Sequence, residues 1–393
     1  MFRTLPTSRL ATRIGGRTKG VTPYAVRREK LRQNWPSDVD WLALCQPANV
    51  TYLSGFTGEA SWLLISMERA IMVSDGRFEI QLSQECPDLE VVIRGPAEST
   101  SSRVGRTLVD LGARNVGFEP AVVTVAEFEN VQEVAPSVNW RKVRGVVERL
   151  REVKDDHEIA AIRGAIQIAE RSFTVVTAML NGNQTEKELS AVIESCIRQM
   201  GGSSTSFPTI AAVGDHAALP HAPPTDRRVQ ESPFLLLDWG ATYCLYKSDL
   251  TRVVRTAARC GLALSSIAEI ESRLEKLYTV VLHGQELAIR TIRAGVPAAE
   301  VDAVVRRYFE DQGYSREFNH SLGHGIGLQI HEGPFLRLNS RDVLQAGHVV
   351  TVEPGLYIPG FGGVRIEDDV LVHPDGCEVL THVPKEWSSC MVW

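Results

Sequence analysis

The stretch VVTVEPGLYIPGFGGVRIEDDVLV, residues 349–372, decides the fold of the C-terminal half, because it predicts two strands that carry charged residues. Alternate side chains of a strand point to opposite faces. Glu353 therefore faces one side of the first strand, and Arg365, Glu367 and Asp369 share one face of the second. We expect Glu353, Arg365 and Glu367 to face one site, although a solvated face of an antiparallel sheet would also explain the second alternation.

A second pair of acids lies upstream, in FLLLDWGATYCLYKSDLTR, residues 234–252. Asp238 ends an apolar strand, and Asp249 follows eleven residues later in the next predicted strand. A turn at residues 240–243 would pair the two strands antiparallel and bring both carboxylates to one end of the sheet. Aspartates at strand ends also cap turns, so this pair alone is weak evidence of a site.

Histidines are dense in FNHSLGHGIGLQIHEGP, residues 318–334. His320, His324 and His331 fall within twelve residues of a chain that contains ten histidines. The surrounding glycines let the backbone approach whatever the imidazoles hold, and neutral imidazole is the commonest metal-ligating side chain. Position 335 is Phe, so the segment is not an H-E-x-x-H zinc motif. Core histidines bonded to the backbone are the structural alternative.

Together these stretches supply two Asp, two Glu and at least one His to one predicted domain. Carboxylate oxygen favours hard divalent ions such as Mn²⁺, and imidazole extends the range to Co, Zn and Fe. The four carboxylates would balance the charge of two dications. Two such ions lower the pKa of bound water and polarise a carbonyl, which indicates metal-assisted amide hydrolysis.

Residues 25–148 read as an α/β domain. A helix over residues 27–35 opens it, and short runs rich in β-branched residues predict its strands. The predicted strands span residues 40–45, 61–66, 70–77 and 89–94. The second and third of them form a hairpin that leads into a helix.

Residues 149–393 read as an α+β domain in which helices flank a strand-rich core. Its first helix has one apolar stripe, because apolar residues recur at steps of three and four. The stripe consists of Ile159, Ile162, Ile166, Ala169 and Phe173. Thr185 and Glu188 predict a capping box before the next helix, and a third long helix spans residues 266–292, ahead of a Gly and a Pro.

The composition is that of an ordinary globular protein, with 44% apolar and 23% charged residues, which excludes disordered, collagenous and disulfide-dense classes. A net charge of −6 gives no chain-wide footprint for nucleic acid or anionic membrane. The longest apolar stretches are far shorter than the roughly 18–20 residues of a membrane span. We therefore expect no nucleic-acid partner and no membrane association. The seven cysteines are scattered without a CxxC pair, which favours reduced thiols in the cytoplasm.

Residues 1–28 contain seven Arg or Lys residues and no acid. Such a composition is typical of an organelle transit peptide. A basic tail and an overlong start are the alternatives. We expect residues 1–24 to form a disordered basic tail.

These motifs resemble, in order and spacing, those of the pita-bread metallopeptidases, which include methionine aminopeptidase, aminopeptidase P, prolidase and creatinase. The resemblance is greatest to bacterial Xaa-Pro aminopeptidase and Xaa-Pro dipeptidase. In the C-terminal half it rests on SFPTIAAVGDHAALPHAPPTDR (206–227), on residues 234–252 and 320–334, on VEPGLYIPG (352–360) and on GVRIEDDVLV (363–372). In the N-terminal half it rests on VTYLSGFTGE (50–59) and SDGRFEIQ (74–81). It implies an α/β creatinase-type N-terminal domain followed by an α+β pita-bread catalytic domain with an antiparallel sheet core.

The resemblance further implies two divalent metal ions, with Mn expected first and Co, Zn or Fe as alternatives. It assigns the ligands as Asp238 to one ion, His324 and Glu353 to the other, and Asp249 and Glu367 to both. Lys247 stands where the family has a small residue or Cys. Its side chain should point away from the face of Asp249.

The resemblance also implies the residues that act on the substrate. Glu353 would carry a proton from the bridging water to the leaving amine. His221 and His331 would contact the scissile carbonyl or the bound peptide, as both catalytic and substrate-binding residues. Arg365 is expected in the same two roles, and Tyr357 as a substrate-binding residue.

The creatinase-type domain favours the Xaa-Pro branch. We therefore expect an exopeptidase that cuts the amide bond between an N-terminal residue and proline, either an aminopeptidase or a dipeptidase, acting as a cytoplasmic homodimer on proline-containing peptides. One alternative is hydrolysis of a small non-peptide amide, as in ectoine hydrolase. Another is a non-catalytic pita-bread binding module, but such relatives lose metal ligands and this chain keeps all five positions.

Overall fold

The computed structural model describes residues 22–256 and 264–390. The chain divides after Arg144 into two compact units, and the boundary predicted from the sequence follows residue 148. Residues 1–21 of the predicted tail, and Cys260, lie outside the described residues. Across the two described ranges, no helix combines the length and apolar character needed to cross a bilayer.

The N-terminal unit contains a mixed sheet of six strands among the described residues, in the order β4-β3-β2-β1-β5-β6. Its strands are β1 Trp41–Leu44, β2 Trp62–Ile65, β3 Ala70–Ser74, β4 Glu90–Ile93, β5 Asn115–Phe118 and β6 Asn139–Lys142. Its helices are α1 Pro23–Gln33, α2 Pro47–Ser54, α3 Glu79–Glu85, α4 Thr100–Asp110 and α5 Val125–Val134. The pairs β1–β2 and β2–β3 are antiparallel, and the other pairs are parallel. The predicted α/β domain is confirmed.

Helix α1 begins four residues before its predicted start, at Pro23. The Thr22 hydroxyl accepts a hydrogen bond from the Ala25 amide at 3.1 Å, and a proline fits the first turn because its missing N–H would have no helical partner. The last two residues of the predicted tail, 23 and 24, therefore belong to a helix, which corrects that expectation.

The C-terminal unit contains only antiparallel strand pairs among its described residues. Its helices are α6 Glu148–Glu152, α7 Asp156–Met179, α8 Glu186–Gln199, α9 Leu264–Thr291 and α10 Ala298–Asp311. Its strands are β7 Ser204–Thr205, β8 Ile210–Val213, β9 Phe234–Trp239, β10 Ala241–Tyr243, β11 Tyr246–Lys247, β12 Leu250–Arg255, β13 Gly323–Gly325, β14 Glu332–Leu336, β15 Val349–Val352, β16 Gly355–Ile358, β17 Gly362–Arg365, β18 Asp368–Val372 and β19 Cys377–Val379. The sheet orders are β11-β10-β7, β12-β9-β8, β14-β13-β15-β18-β19 and β16-β17. The predicted antiparallel core flanked by helices is confirmed.

Strand β9 is buried on both faces, which explains its unbroken apolar run. Leu235 and Leu237 pack with residues of α7 and α8, whereas Leu236 packs with residues of α9 and α10. Since side chains alternate along a strand, Asp238 shares the face of Leu236. The fold thus carries one carboxylate to the end of a fully buried strand.

The helix ends follow the sequence signals. The predicted capping box of α8 is present: the Thr185 hydroxyl accepts from the Glu188 amide at 3.2 Å, and the Glu188 carboxylate accepts from the Thr185 amide at 2.8 Å. The long helix α9 lies within two residues of its predicted bounds at both ends.

Two strand predictions were wrong. The connection from β9 to β12 is a separate hairpin, β10–β11, rather than a turn at residues 240–243, and Cys244 and Leu245 have positive φ at its tip. The stretch from residue 363 to 372 is two strands rather than one, because β17 pairs with β16 while β18 pairs with β15. Glu367 occupies the break between them.

Candidate metal centre

Strands β9 and β12 bring the two aspartates together. They pair antiparallel, as predicted, and Asp238 lies opposite Thr251. Directly opposed side chains of an antiparallel pair share a face, and Asp249 shares that face too because it stands two residues from Thr251. Both carboxylates are at least nine-tenths buried, at 7% and 5% residue exposure.

The backbone amides of the remaining predicted ligands donate hydrogen bonds to neighbouring parts of the sheet framework. The His324 amide donates to the Thr351 hydroxyl at 3.1 Å. The Glu353 amide, just after β15, donates to the carbonyl of Leu322 at 2.9 Å. Glu367, between β17 and β18, reaches the first strand pair through an isolated bridge in which its amide donates to the Thr251 carbonyl at 3.2 Å.

These side chains converge. Ligand-type atoms of Asp249, His324 and Glu367 lie within 4.8 Å of one another, a group that could hold a metal ion. His324 Nε2 lies 3.8 Å from Asp249 Oδ2 and 3.4 Å from Glu353 Oε1. The structure thus places residues that are up to 118 positions apart in the sequence, from 249 to 367, around one point.

The electrostatics of this cluster disfavour four ionised carboxylates that have no added positive charge. Burial raises the pKa of Asp249 and of Glu367 well above the ordinary carboxyl value, and the neighbouring carboxylates raise both further. Burial also raises the pKa of Glu353 to about 8 and raises that of Asp238, although Arg365 opposes the second shift. Carboxylates packed this closely stay ionised only with added positive charge.

His324 supplies a neutral ring nitrogen that could bind a metal. Burial, with a smaller contribution from His331, lowers the pKa of His324 to about 4. Its Nδ1 lies 3.1 Å from the carbonyl of Gly325, so Nδ1 carries the proton. The other ring nitrogen, which faces the carboxylates, has its lone pair free for a metal.

The residues present fit a pair of divalent metal ions. Asp238 Oδ1 and Glu367 Oε1 are buried and have no hydrogen-bond partner within the described residues. Unpartnered buried oxygens are costly, and a bound ion is one of the groups that satisfies them. Four carboxylates and one imidazole suit Mn²⁺ and related divalent ions, and their charges cancel those of two dications.

A hydrogen-bonded chain holds one edge of the cluster. Arg365 Nη2 donates to Asp238 Oδ2 at 2.5 Å, and Arg365 Nη1 donates to the Tyr357 hydroxyl at 2.7 Å. Tyr357 then donates to His320 Nε2 at 3.0 Å, because His320 Nδ1 donates to the Ser321 carbonyl at 2.7 Å. Burial lowers the pKa of His320 to about 3, so the ring is neutral and can accept. The chain fixes the orientation of Asp238.

All nine predicted site residues line one cavity of about 950 Å³. They are Asp238, Asp249, His324, Glu353, Glu367, His221, His331, Tyr357 and Arg365. The rings of His324 and His331 meet edge to face, with centroids 4.4 Å apart. His221 and His331 are exposed to the cavity, whereas Arg365 is buried in its wall with its N–H groups bound to protein atoms.

Sequence reasoning missed Thr251, which supports the site. Thr251 donates to Glu367 Oε2 at 2.6 Å and accepts from Arg365 Nε at 3.0 Å. Its position two residues after Asp249 was a usable signal, because side chains alternate along a strand. Lys247 points elsewhere, since its Nζ donates to the Thr242 hydroxyl at 2.8 Å.

Comparison with known proteins gives a family and a set of relatives. The profile of Metallopeptidase family M24 matches residues 160–374, and that of the Creatinase/Prolidase N-terminal domain matches residues 27–153. An uncharacterized peptidase of Bacillus subtilis, YqhT, is 33% identical over 92% of this chain and 99% of its own length. An Xaa-Pro dipeptidase from Bacillus anthracis superposes with a TM-score of 0.85 at 36% identity, and an X-Pro aminopeptidase from Thermotoga maritima with 0.80 at 34%. Each superposition covers 92% of this chain and 99% of the other.

Proposed function

Because the chain belongs to metallopeptidase family M24, with a creatinase/prolidase N-terminal domain, we propose that it is a dinuclear-metal exopeptidase that hydrolyses the amide bond between an N-terminal residue and proline. The observation that carries the proposal is the convergence of three buried carboxylates, the partly exposed carboxylate of Glu353 and one neutral imidazole on a single cavity, with two carboxylate oxygens unpartnered among the described residues. The substrate class is supported by the solved relatives, which are an Xaa-Pro dipeptidase and an X-Pro aminopeptidase.

The proposed ligand set consists of the five side chains that meet at the cavity, and its division between two ions is the one that the family resemblance implies. Asp238 would bind one ion, His324 and Glu353 the other, and Asp249 and Glu367 both. When bound, the ions would lower the pKa of a water molecule and polarise the scissile carbonyl. Mn²⁺ is proposed first, since oxygen ligands predominate, and Co, Zn or Fe would fit the same donors.

The chain's own residues supply positioning and proton transfer. Glu353, whose side chain is 16% exposed, lies at the cavity surface, where it can take a proton from water and deliver it to the leaving proline nitrogen. His221 and His331 reach into the cavity and would donate hydrogen bonds to the substrate carbonyl as negative charge develops on its oxygen. Arg365 and Tyr357 would hold Asp238 and shape the wall that the peptide contacts.

The experiment that tests this function is a parallel assay of the purified, Mn²⁺-loaded protein on three substrates: an Xaa-Pro dipeptide, an Xaa-Pro-Yaa tripeptide and an Xaa-Ala-Yaa control. Turnover of the tripeptide would make the protein an aminopeptidase, and turnover of the dipeptide alone would make it a dipeptidase. Cleavage of the alanine control at an equal rate would contradict the proline specificity. Cleavage of none of them with two metals bound would redirect the search to small non-peptide amides.

We also propose that the enzyme works on proline-containing peptides as a homodimer in the cytoplasm. The six cysteines in the described ranges are free thiols, which supports a reducing compartment. Light scattering on the eluting peak of a sizing column would give twice the 43.4 kDa chain mass for a dimer, and the single mass would contradict it.

A further inference from the structure

We propose that Glu186 is a positioning residue that sets the place of His221 in the active-site cavity. His221 lies in residues 214–224, the first part of the connection between β8 and β9, which opens with a short 3-10 helix at Gly214–Ala218. We call this segment the His221 loop. The inference rests on the proposed function to the extent that His221 acts on the substrate. The contacts of Glu186 do not depend on that function.

Glu186 joins the two ends of the His221 loop. Glu186 lies in the first turn of α8 and is fully buried, at 0% exposure. Glu186 Oε1 accepts the amide of Val213 at 2.7 Å, immediately before the loop. Glu186 Oε2 accepts the amide of Thr225 at 2.8 Å and the Thr225 hydroxyl at 2.6 Å, immediately after it. One carboxylate therefore closes the base of the loop.

A fourth donor comes from inside the loop. His216 Nδ1 lies 2.9 Å from both oxygens of Glu186. Since an ionised carboxylate only accepts, Nδ1 of His216 carries the proton. Every hydrogen-bond partner of the Glu186 carboxylate is thus a donor, and a Gln at this position would turn an NH₂ group toward other N–H groups. The arrangement requires a carboxylate.

The far side of the loop meets the site itself. Arg365 Nη1 donates to the carbonyl of Pro220 at 3.3 Å, next to His221. The middle of the loop packs tightly on Gly363 of β17. A Cβ atom at position 363 would lie only 2.1 Å from the Ala217 carbonyl oxygen, so the contact leaves no room for a side chain. The loop is held at its tip by an active-site residue and at its base by Glu186, so loosening the base would let His221 move relative to the carboxylates.

The same helix turn provides a matched control. Glu188 also belongs to the first turn of α8, but it is exposed and its carboxylate accepts from the Thr185 amide at 2.8 Å to complete the capping box. A role of Glu186 in merely starting the helix would make the two glutamates equivalent. A role in the loop would make them different.

The test compares Mn²⁺-loaded Glu186→Gln and Glu188→Gln with the wild type, each also in a His221→Ala background, using the Xaa-Pro peptide that the wild type cleaves best. Glu186→Gln should lower kcat roughly 10²-fold, as a displacement of about 1 Å of a substrate-contacting group can, with KM changing less. In the His221→Ala background it should lower kcat less than about 2-fold, because the group it positions is gone. Glu188→Gln should leave kcat within about 2-fold, and Mn²⁺ affinity by calorimetry should be unchanged in both single variants.

Equal effects of Glu186→Gln with and without His221, or a loss of Mn²⁺ affinity, would overturn the inference. Thr225→Val removes the hydroxyl that donates to Glu186 and accepts from the Arg227 amide at 3.3 Å, and it provides a milder variant that should lower kcat in the same direction if Glu186→Gln does not fold. Amide hydrogen exchange gives a substrate-free readout: Glu186→Gln, but not Glu188→Gln, should speed exchange across Val213–Thr225 by at least about 10-fold. Unchanged exchange would refute the positioning role, whereas faster exchange without any peptide cleavage by the wild type would refute only the proposed function.

Discussion

Glu353→Gln should stabilise the metal-free protein, although it removes a group proposed to bind metal and move a proton. Burial raises the pKa of Glu353 from 4.5 to about 8. Because the folded pKa lies above the unfolded one, the contribution of this carboxyl to stability is full below about pH 4.5 and is lost as the pH rises toward about 8. A Gln amide does not ionise, so the variant avoids this loss.

The size of the effect follows from the pKa shift. Each pH unit between the two pKa values corresponds to about 1.4 kcal/mol. At about pH 7.5 the wild type therefore loses on the order of 4 kcal/mol, and at about pH 5 less than roughly 1 kcal/mol. In a unit the size of the C-terminal one, each kcal/mol of stability shifts the melting temperature by about 2–4 °C. The metal-free Glu353→Gln variant should therefore melt roughly 10 °C above the metal-free wild type at the higher pH.

Glu332 provides a control of opposite sign. Glu332 is buried and forms ion pairs with Arg151 and with Lys154, the latter at 2.9 Å. Burial opposes the shift, yet Lys154 and Arg151 together lower the pKa of Glu332. Its folded pKa lies below the unfolded one, so its contribution is present above the ordinary pKa and is lost as the pH falls. Glu332→Gln leaves two buried cations undercompensated and should destabilise the protein by about 3–5 kcal/mol.

Scanning calorimetry of chelator-treated wild type, Glu353→Gln and Glu332→Gln at both pH values measures these effects. The unfolding of the C-terminal unit is the transition to follow, because a two-unit chain need not unfold in one step. A metal-free Glu353→Gln protein that melts at or below the wild type at about pH 7.5 would refute the reasoning. So would a stabilisation that does not shrink at about pH 5.

Three further perturbations test the site and the core. Asp249→Ala or Glu367→Ala should abolish both two-metal binding in calorimetry and peptide turnover, and near-normal activity in either variant would refute the site assignment. Mn²⁺ binding should release protons and become tighter as the pH rises, because the metal binds ionised carboxylates and burial has raised the pKa values of these groups. Equal binding heats in buffers of different ionisation enthalpy would contradict this. Phe309→Ala removes a fully buried ring whose centroid lies 5.3 Å from that of Phe318. The variant should lose about 3–5 kcal/mol of unfolding free energy. A loss under about 1 kcal/mol in urea titrations would rule out this packing role.

Elements that depend on near neighbours in the chain could be predicted from the sequence. Ile162 and Ile166, from the predicted apolar stripe of α7, are buried, and the Thr185–Glu188 box caps α8. Both signals involve residues three or four positions apart, which the helix itself brings together. The antiparallel pairing of β9 with β12 also followed from local pattern.

Predictions that depend on which strand pairs with which were less successful. Alternation of side chains does not reveal where a strand changes partner, so the break at Glu367 between β17 and β18 could not be seen. The hairpin tip at Cys244 and Leu245 has positive φ at both residues but lacks the Asn or Gly that normally marks such a turn. The sequence therefore predicted a different connection there.

In the candidate site, too, the residue types could be predicted from local sequence patterns, whereas the contacts between distant residues could not. The four acidic ligands stood out as charged residues on predicted strands and His324 as one of a dense group of histidines, but their distribution over two metal ions came from the resemblance to known enzymes. The supporting partners are distant in sequence: Thr251 bonds Glu367, and Glu186 bonds Thr225. The spacing of residues along the chain does not indicate that such distant side chains are in contact.

The dinuclear centre is tested most directly by anomalous diffraction at the manganese edge from crystals of the protein grown with Mn²⁺. Two peaks should appear in the cavity, both beside Asp249 and Glu367, one also beside Asp238 and the other beside His324 and Glu353. A single peak, or peaks away from Asp249 and Glu367, would contradict a site in which these two carboxylates bind both ions.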